Sequence, residues 1–227
     1  MHEFFSIGIL PVTMTLFAYQ AGLLCQKKLK LPIFNPILVA AVLLILVLKG
    51  VGMETAQYTA GMGLISWLMT PATICLAIPM YEQFQALRKN LKAICLGAAA
   101  GALACLAVLG GAAVLLHFDR NLAVSLLPKS ITAAIGVPLC QLLGGTASIT
   151  TLGISVTGIT GNMFGVSLCK LFGITDPIAK GVAFGTGSHV IGTARASEVD
   201  PLTGAVSSLS LVVAGLLTAV LLPALLA

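Results

Sequence analysis

The chain has 227 residues, of which 58% are hydrophobic and only 8% charged, and its mean hydropathy is +1.07. A soluble domain carries roughly a quarter of its residues as charges, so a water-facing surface all round is excluded and a polytopic all-α membrane protein is indicated. The net charge of +5, from 12 basic against 7 acidic residues, fits the cytoplasmic bias of Lys and Arg in membrane proteins; no basic patch is interleaved with aromatics, so nucleic acid is not an expected partner.

Spans of about 20 residues with short loops predict roughly eight crossings of the lipid bilayer within a single domain, residues 1–227. The first runs from Phe4 to Leu24. The leading MHEFFSIGIL has no basic residue before its apolar run and no small-residue cleavage site, so this span is expected to be retained. Lys27, Lys28 and Lys30 follow it and belong in the cytoplasm, which places the N-terminus outside. Pro32 and Asn35-Pro36 open a second span that ends near Leu48. Asn35 reads either as a cap beside a helix-starting proline or as a solute contact.

A third span, Met62 to Met80, contains Pro71 and Pro79, each of which withholds a hydrogen bond from the preceding turn. Tyr81 to Lys92 is a second basic loop, with Arg88, Lys89 and Lys92. Ala93 to Leu116 is free of charge, and Gly97 and Gly101 sit at a spacing that lets helices approach closely. Leu122 to Gly145 is interrupted by Pro128 and Pro138, with Lys129 beside the first. Ala147 to Cys169 is rich in Ser, Thr and Gly, including Gly161 and Gly165. Asp176 to Pro201 follows, and a last apolar span runs from Leu202 to about Leu222.

Six scattered cysteines without a C-x-x-C pair suggest neither zinc nor a disulfide framework. No nucleophile motif, metal-ligand spacing or phosphate loop appears, so no enzymatic activity, metal or cofactor is expected. TPATICLAIPM, from Pro71's surroundings, aligns with LPKSITAAIGV around Pro128, which suggests an internal repeat. Transporters often carry repeats, inverted ones among them, whose broken helices meet at a solute site.

Polar residues at membrane depth are costly and are usually retained for a pathway or a site. Asp176 to Pro201 holds four glycines, Ser188, His189, Thr193 and Arg195 within an otherwise apolar run. Lys129 is placed on the first turn of a proline-initiated half-helix with Ser130 and Thr132, where a helix N-terminus favours an anion. Together they form a candidate carboxylate cradle; the alternative is a lysine that snorkels to an interface. Thr73 occupies the position of Ser130 in the other half of the repeat. His189 is read as a proton carrier, a donor to solute, or a satisfied interior histidine. Arg195 suits a carboxylate or pairs with Glu198. For His189 and Arg195 to face one solute the helix must break, and Gly192 is the expected place.

PKSIT at Pro128–Thr132, DPIAKGVAFGTGSHVIGTARA at Asp176–Ala196, GAVSSLS at Gly204–Ser210, FNPILVA at Phe34–Ala40 and TPATICLAIPMYEQ at Thr70–Gln83 resemble the LrgB/CidB-type membrane family. The likeness covers nearly the whole chain in order. Ala133-Ala134 stands where that family usually has Thr-Pro, and Val190 where a small residue usually follows Ser-His. The resemblance implies a multi-pass protein of the bacterial plasma (inner) membrane. It also carries two descriptions of function. One is an antiholin-like regulator of murein hydrolase activity and cell lysis, acting with a small LrgA/CidA-type partner. The other is carriage of small monocarboxylates, as in a plastid glycolate/glycerate relative fused to an LrgA-like part and in bacterial pairs linked to pyruvate or acetate. This chain has no fused part and is expected to resemble the stand-alone bacterial protein.

The residues themselves favour a secondary carrier of a small carboxylate working by alternating access, with Lys129, Ser130, Thr132, Ser188, His189, Thr193, Arg195, Asn35 and Thr73 as candidate binding residues; proton coupling and a homo-oligomer are further expectations, and the sequence leaves the coupling ion and the oligomeric state open. In the regulator alternative, the polar positions are dispensable and the packing glycines are not.

Overall fold

The computed structural model describes residues 2–29 and 34–226, with side chains from residue 8 onward. These residues form α1 (His2–Leu29), α2 (Pro36–Val51), α3 (Thr55–Gly61), α4 (Gly63–Ile74), α5 (Ala77–Glu82), α6 (Phe84–Leu115), α7 (Arg120–Leu126), a 3-10 turn (Leu127–Ser130), α8 (Ala133–Leu142), α9 (Ala147–Leu171), α10 (Pro177–Val199) and α11 (Pro201–Leu226). No strand occurs among the described residues. Lys30 and Pro32 lie outside them.

Among the described residues five segments are long and apolar enough to cross a membrane: Gly8–Leu29, Gly63–Glu82, Phe84–Leu115, Ala147–Leu171 and Pro201–Leu226. A sixth is added if α2 and α3, bent by 118° against each other, count as one span. Eight crossings are therefore not what the helices provide. The stretch from Leu122 to Gly145 accounts for part of the difference. It is broken around Pro128 into α7, the 3-10 turn and α8, each too short to reach across about 30 Å of hydrocarbon at 1.5 Å per residue, while Pro138 stays inside α8. The glycines and polar residues of α10 account for another part, because they leave a long helix insufficiently apolar.

The chain divides into two compact units, Met1–Cys75 and Leu76–Ala227. In the first, α2 starts where the sequence signals it. Asn35 Oδ1 accepts from the Ile37 amide at 2.9 Å, with Pro36 as the first helical residue. It stops at Gly52, whose φ of +70° supplies the left-handed cap and whose amide donates to Leu48. Gly22 of α1 lets the backbone at Pro36 come close: a Cβ there would lie 2.6 Å from the Pro36 carbonyl oxygen. The Thr15 and Tyr58 hydroxyls meet at 2.7 Å.

In the second unit α10 is the central element, packed against α6, α9 and α11. It begins with Asp176, whose Oδ1 accepts from the Ala179 amide at 2.8 Å, followed by Pro177. Small residues make each contact possible. Gly97 and Gly101 of α6 face Val182 and Thr186, Gly165 of α9 faces the Phe184 ring, and Gly181 and Gly185 face α11. One apolar cluster joins Leu87 and Ile94 of α6 to Ala205 and Val206 of α11. A second gathers Leu106, Ile131, Leu139 and Leu222.

The two stretches aligned as a repeat differ locally. Pro71 lies within α4, which ends at Ile74, whereas Pro128 lies on the 3-10 turn ahead of α8. A helix break follows each proline, but the segments on either side are of different kinds.

The close contact at Gly185 yields a stability prediction. A Cβ there would run into the Ser207 carbonyl oxygen and stand 2.8 Å from Ser210 Cβ and 3.0 Å from the Leu211 amide nitrogen, two of the three being backbone atoms of α11. Gly185→Ala should lower stability by about 1–3 kcal/mol. Gly110→Ala, where nothing lies within 4 Å, should be neutral or stabilising by up to about 1 kcal/mol. Thermal unfolding of the two purified proteins in one detergent checks both signs.

Candidate functional site

The polar residues of α10 converge on a break. Ser188 has φ −143°, ψ 19°, and His189 has φ 42°, ψ −142°, so the helix is interrupted between two regular halves. The expected break at Gly192 is therefore displaced to Ser188–His189. Gly192 is buried against the Ser188 side chain and stays helical, its missing Cβ leaving the space that Ser188 occupies. A non-glycine residue with positive φ costs of order 1–3 kcal/mol and persists only where its surroundings hold it.

Those surroundings are visible. His189 is 3% exposed, and its Nε2 donates to the Ile154 carbonyl of α9 at 2.8 Å. A carbonyl can only accept, so the proton is on Nε2. The imidazole fits because Gly158 has no Cβ, which would fall 2.6 Å from His189 Cε1. Ser188 is buried over Gly161 and donates to the Phe184 carbonyl at 3.0 Å. Thr193 is fully buried, donates to the His189 carbonyl at 2.8 Å and meets the Ser207 hydroxyl of α11 at 2.8 Å. Asn162 Nδ2 of α9 donates to the Ile191 carbonyl at 3.1 Å. The break is thus knitted to α9 on one side and α11 on the other, and its polar groups find partners inside the unit.

Lys129 is half-buried on the 3-10 turn. The expected placement on the first turn of a half-helix is corrected here: α8 begins at Ala133, with Thr132 at its N-cap position and making no side-chain cap bond. The Lys129 amine therefore does not share a helix N-terminus with Thr132. It donates to Ser130 Oγ, itself buried, at 3.5 Å. Lys129 and Ser188 both line a cavity of about 680 Å³ between α9, α10 and the end of α7, together with Thr157 and Thr160. His189, Thr193, Ser130 and Thr132 do not line it.

The remaining candidates lie elsewhere. Arg195 is partly exposed and pairs with Glu198, Nη1 to Oε2 at 2.5 Å. Asn35 caps α2. Thr73 is exposed and donates to the Met69 carbonyl of its own helix at 2.8 Å. Asn35 and Thr73 belong to the first unit and the others to the second.

Sequence reasoning missed the Ile154 carbonyl, Gly158, Asn162 and Ser207. The Ser/Thr/Gly-rich run of α9 was the signal that a polar partner faces it. A backbone carbonyl leaves no mark in a sequence. Ser210 was missed as well: its hydroxyl is buried on α11 and has no hydrogen-bond partner among the described residues.

Residues 15–227 match the model of the LrgB-like family. The chain is 32% identical to the holin-like protein CidB of Staphylococcus epidermidis over 225 residues, covering 99% of this chain and 98% of that protein. It is 31% identical to the holin-like protein CidB of Staphylococcus aureus over 218 residues, 96% of this chain and 95% of that one. It is also 31% identical to the uncharacterized protein YwbG of Bacillus subtilis over 214 residues, 93% and 94% of the two chains. No solved structure matches. With its several membrane-length apolar helices and a match that runs almost end to end, the chain belongs to the LrgB-like family and is a multi-pass protein of the bacterial plasma membrane.

Proposed function

We propose that this protein is a holin-like component of the bacterial plasma membrane that acts with a small LrgA/CidA-type partner to set murein hydrolase activity and cell lysis. The observation that carries this reading is the likeness to holin-like proteins over 99% of the chain. The geometry agrees with it. The buried polar groups of α10 bond to α9, α11 and their own helix, as parts of a packed scaffold do. Gly158, Gly161 and Gly165 form the surface of α9 against which that scaffold closes.

The test is autolysis. In a strain deleted for its own copy, the wild-type gene should restore the parental lysis rate. Gly161→Leu, which drives a side chain into Ser188, should fail to restore it, while Thr73→Val, at an exposed position, should restore it fully. A deletion strain that lyses at the parental rate would sink the reading.

One observation favours a second reading, carriage of small monocarboxylates. Lys129 lies in the cavity wall with no carboxylate within 4 Å among the described residues, whose one ion pair, Arg195–Glu198, lies outside that wall. Among those residues the Lys129 ammonium has only the Ser130 hydroxyl as a partner, and a charge within the hydrocarbon carries a cost that an anion offsets. Labelled glycolate, glycerate, pyruvate and acetate should then enter liposomes that contain this protein, with saturation and with a dependence on a proton gradient. Lys129→Ala should reduce the rate at least tenfold at equal protein level, the size expected for losing a charged hydrogen bond. Uptake unchanged in that variant removes the second reading and leaves the first standing.

A further inference from the structure

The cavity beside α9 has a chemical asymmetry of which the second functional reading uses only the cation. Its walls are largely hydrocarbon, including Leu126, Ile149, Leu152, Val156, Phe172 and Phe184, and Lys129 is the one cation in the lining among the described residues. A carboxylate of two or three carbons would meet the ammonium and leave most of about 680 Å³ of apolar groove unfilled. A neutral lipid would fill the groove and leave the ammonium unpaired. An amphiphile with an anionic head satisfies both.

Depth points the same way. Lys129 packs on Gly153, whose missing Cβ would lie 3.4 Å from Lys129 Cβ. Gly153 stands roughly 9 Å along α9 from Ala147, at 1.5 Å per residue. A helix of 25 residues spans roughly 37 Å against a hydrocarbon core of about 30 Å. Centred on that core, α9 carries Gly153 roughly 6 Å inside the hydrocarbon, nearer to the headgroup boundary than to the midplane. From there the lining continues past Thr160, Gly165 and Leu168 to Phe172. That is roughly 28 Å of groove, of which an acyl chain headed at Lys129 covers the first part, about the 15 Å of one leaflet.

We infer that this groove holds an acidic phospholipid of the surrounding bilayer, its phosphodiester on the Lys129 ammonium and one acyl chain along α9. The site stands on the groove itself and does not depend on either functional reading. Gly187 offers a way to close it. It lines the cavity, and a Cβ there would meet nothing within 4 Å, so a side chain can be started at this point of the cavity wall.

The test uses the full chain in a neutral detergent with equal amounts of phosphatidylglycerol and phosphatidylcholine carrying the same acyl chains, the retained lipid being counted by native mass spectrometry. Phosphatidylglycerol should be retained over phosphatidylcholine by about tenfold, as one charge-assisted hydrogen bond implies. Lys129→Gln should bring the two lipids to parity. Lys170→Gln, on an exposed lysine of α9 outside the lining, should leave the preference intact. Gly187→Leu should lower retention of phosphatidylglycerol with Lys129 still present. Parity in the wild type, a preference that survives Lys129→Gln, or unchanged retention in Gly187→Leu would each overturn the inference. So would displacement of the lipid by soluble glycerol phosphate at the same concentration, which would mark a site for a free anion.

Discussion

Everything in the second unit depends on how closely backbone can approach α10. Three helices pack against this one, and at each contact one partner lacks a Cβ: α6 at Gly97 and Gly101, α9 at Gly158, Gly161 and Gly165, and α10 itself where it meets α11. In a membrane, lipid tails compete with side chains on equal terms, so helices gain little from apolar burial alone. They gain from van der Waals packing and from hydrogen bonds that close contact permits. Here close contact brings Thr193 to Ser207 and His189 to Ile154. Packing and polarity are thus one arrangement: the glycines create the proximity, and the proximity satisfies hydroxyl and imidazole groups that hydrocarbon would penalise.

The local signals of the sequence were reliable where physics acts locally. Asn35-Pro36 and Asp176-Pro177 start helices through side-chain caps, and the glycine pair of α6 serves packing as its spacing implies. The total number of crossings was not legible. It depends on whether a proline-containing apolar stretch remains one helix, and Pro128 sits on a 3-10 turn that leaves pieces too short to cross. Nor was the position of the break in α10. Glycine is the residue that bends most cheaply, so Gly192 was the natural expectation. The chain bends instead at His189, because a partner on another helix holds the imidazole. No property of residues 176–201 alone carries that information.

The same division applies to the candidate residues. Nine were named from one principle, that polar groups at membrane depth have a purpose. The purposes turn out to differ. Asn35 caps, Arg195 pairs with its neighbour three residues on, Thr193 bridges two helices, and Lys129 faces a cavity. Sequence identifies which groups need a partner; only the fold tells whether that partner is a carbonyl, a carboxylate or something from outside.

The bend in α10 also has a mechanical meaning. A glycine break would be a joint, free to turn because many backbone angles are open to it. The break at Ser188–His189 is clamped: the imidazole is tied to the Ile154 carbonyl and sits in the notch left by Gly158. The half of α10 beyond it is fastened to α11 through Thr193 and Ser207. Force applied to the end of α10 is therefore transmitted to α9 and α11 rather than absorbed at the bend. The three helices behave as one stiff truss, and any change of shape within the unit must occur at its edges, where α7, the 3-10 turn and α8 are short and only α7 starts on a side-chain cap, Asp119.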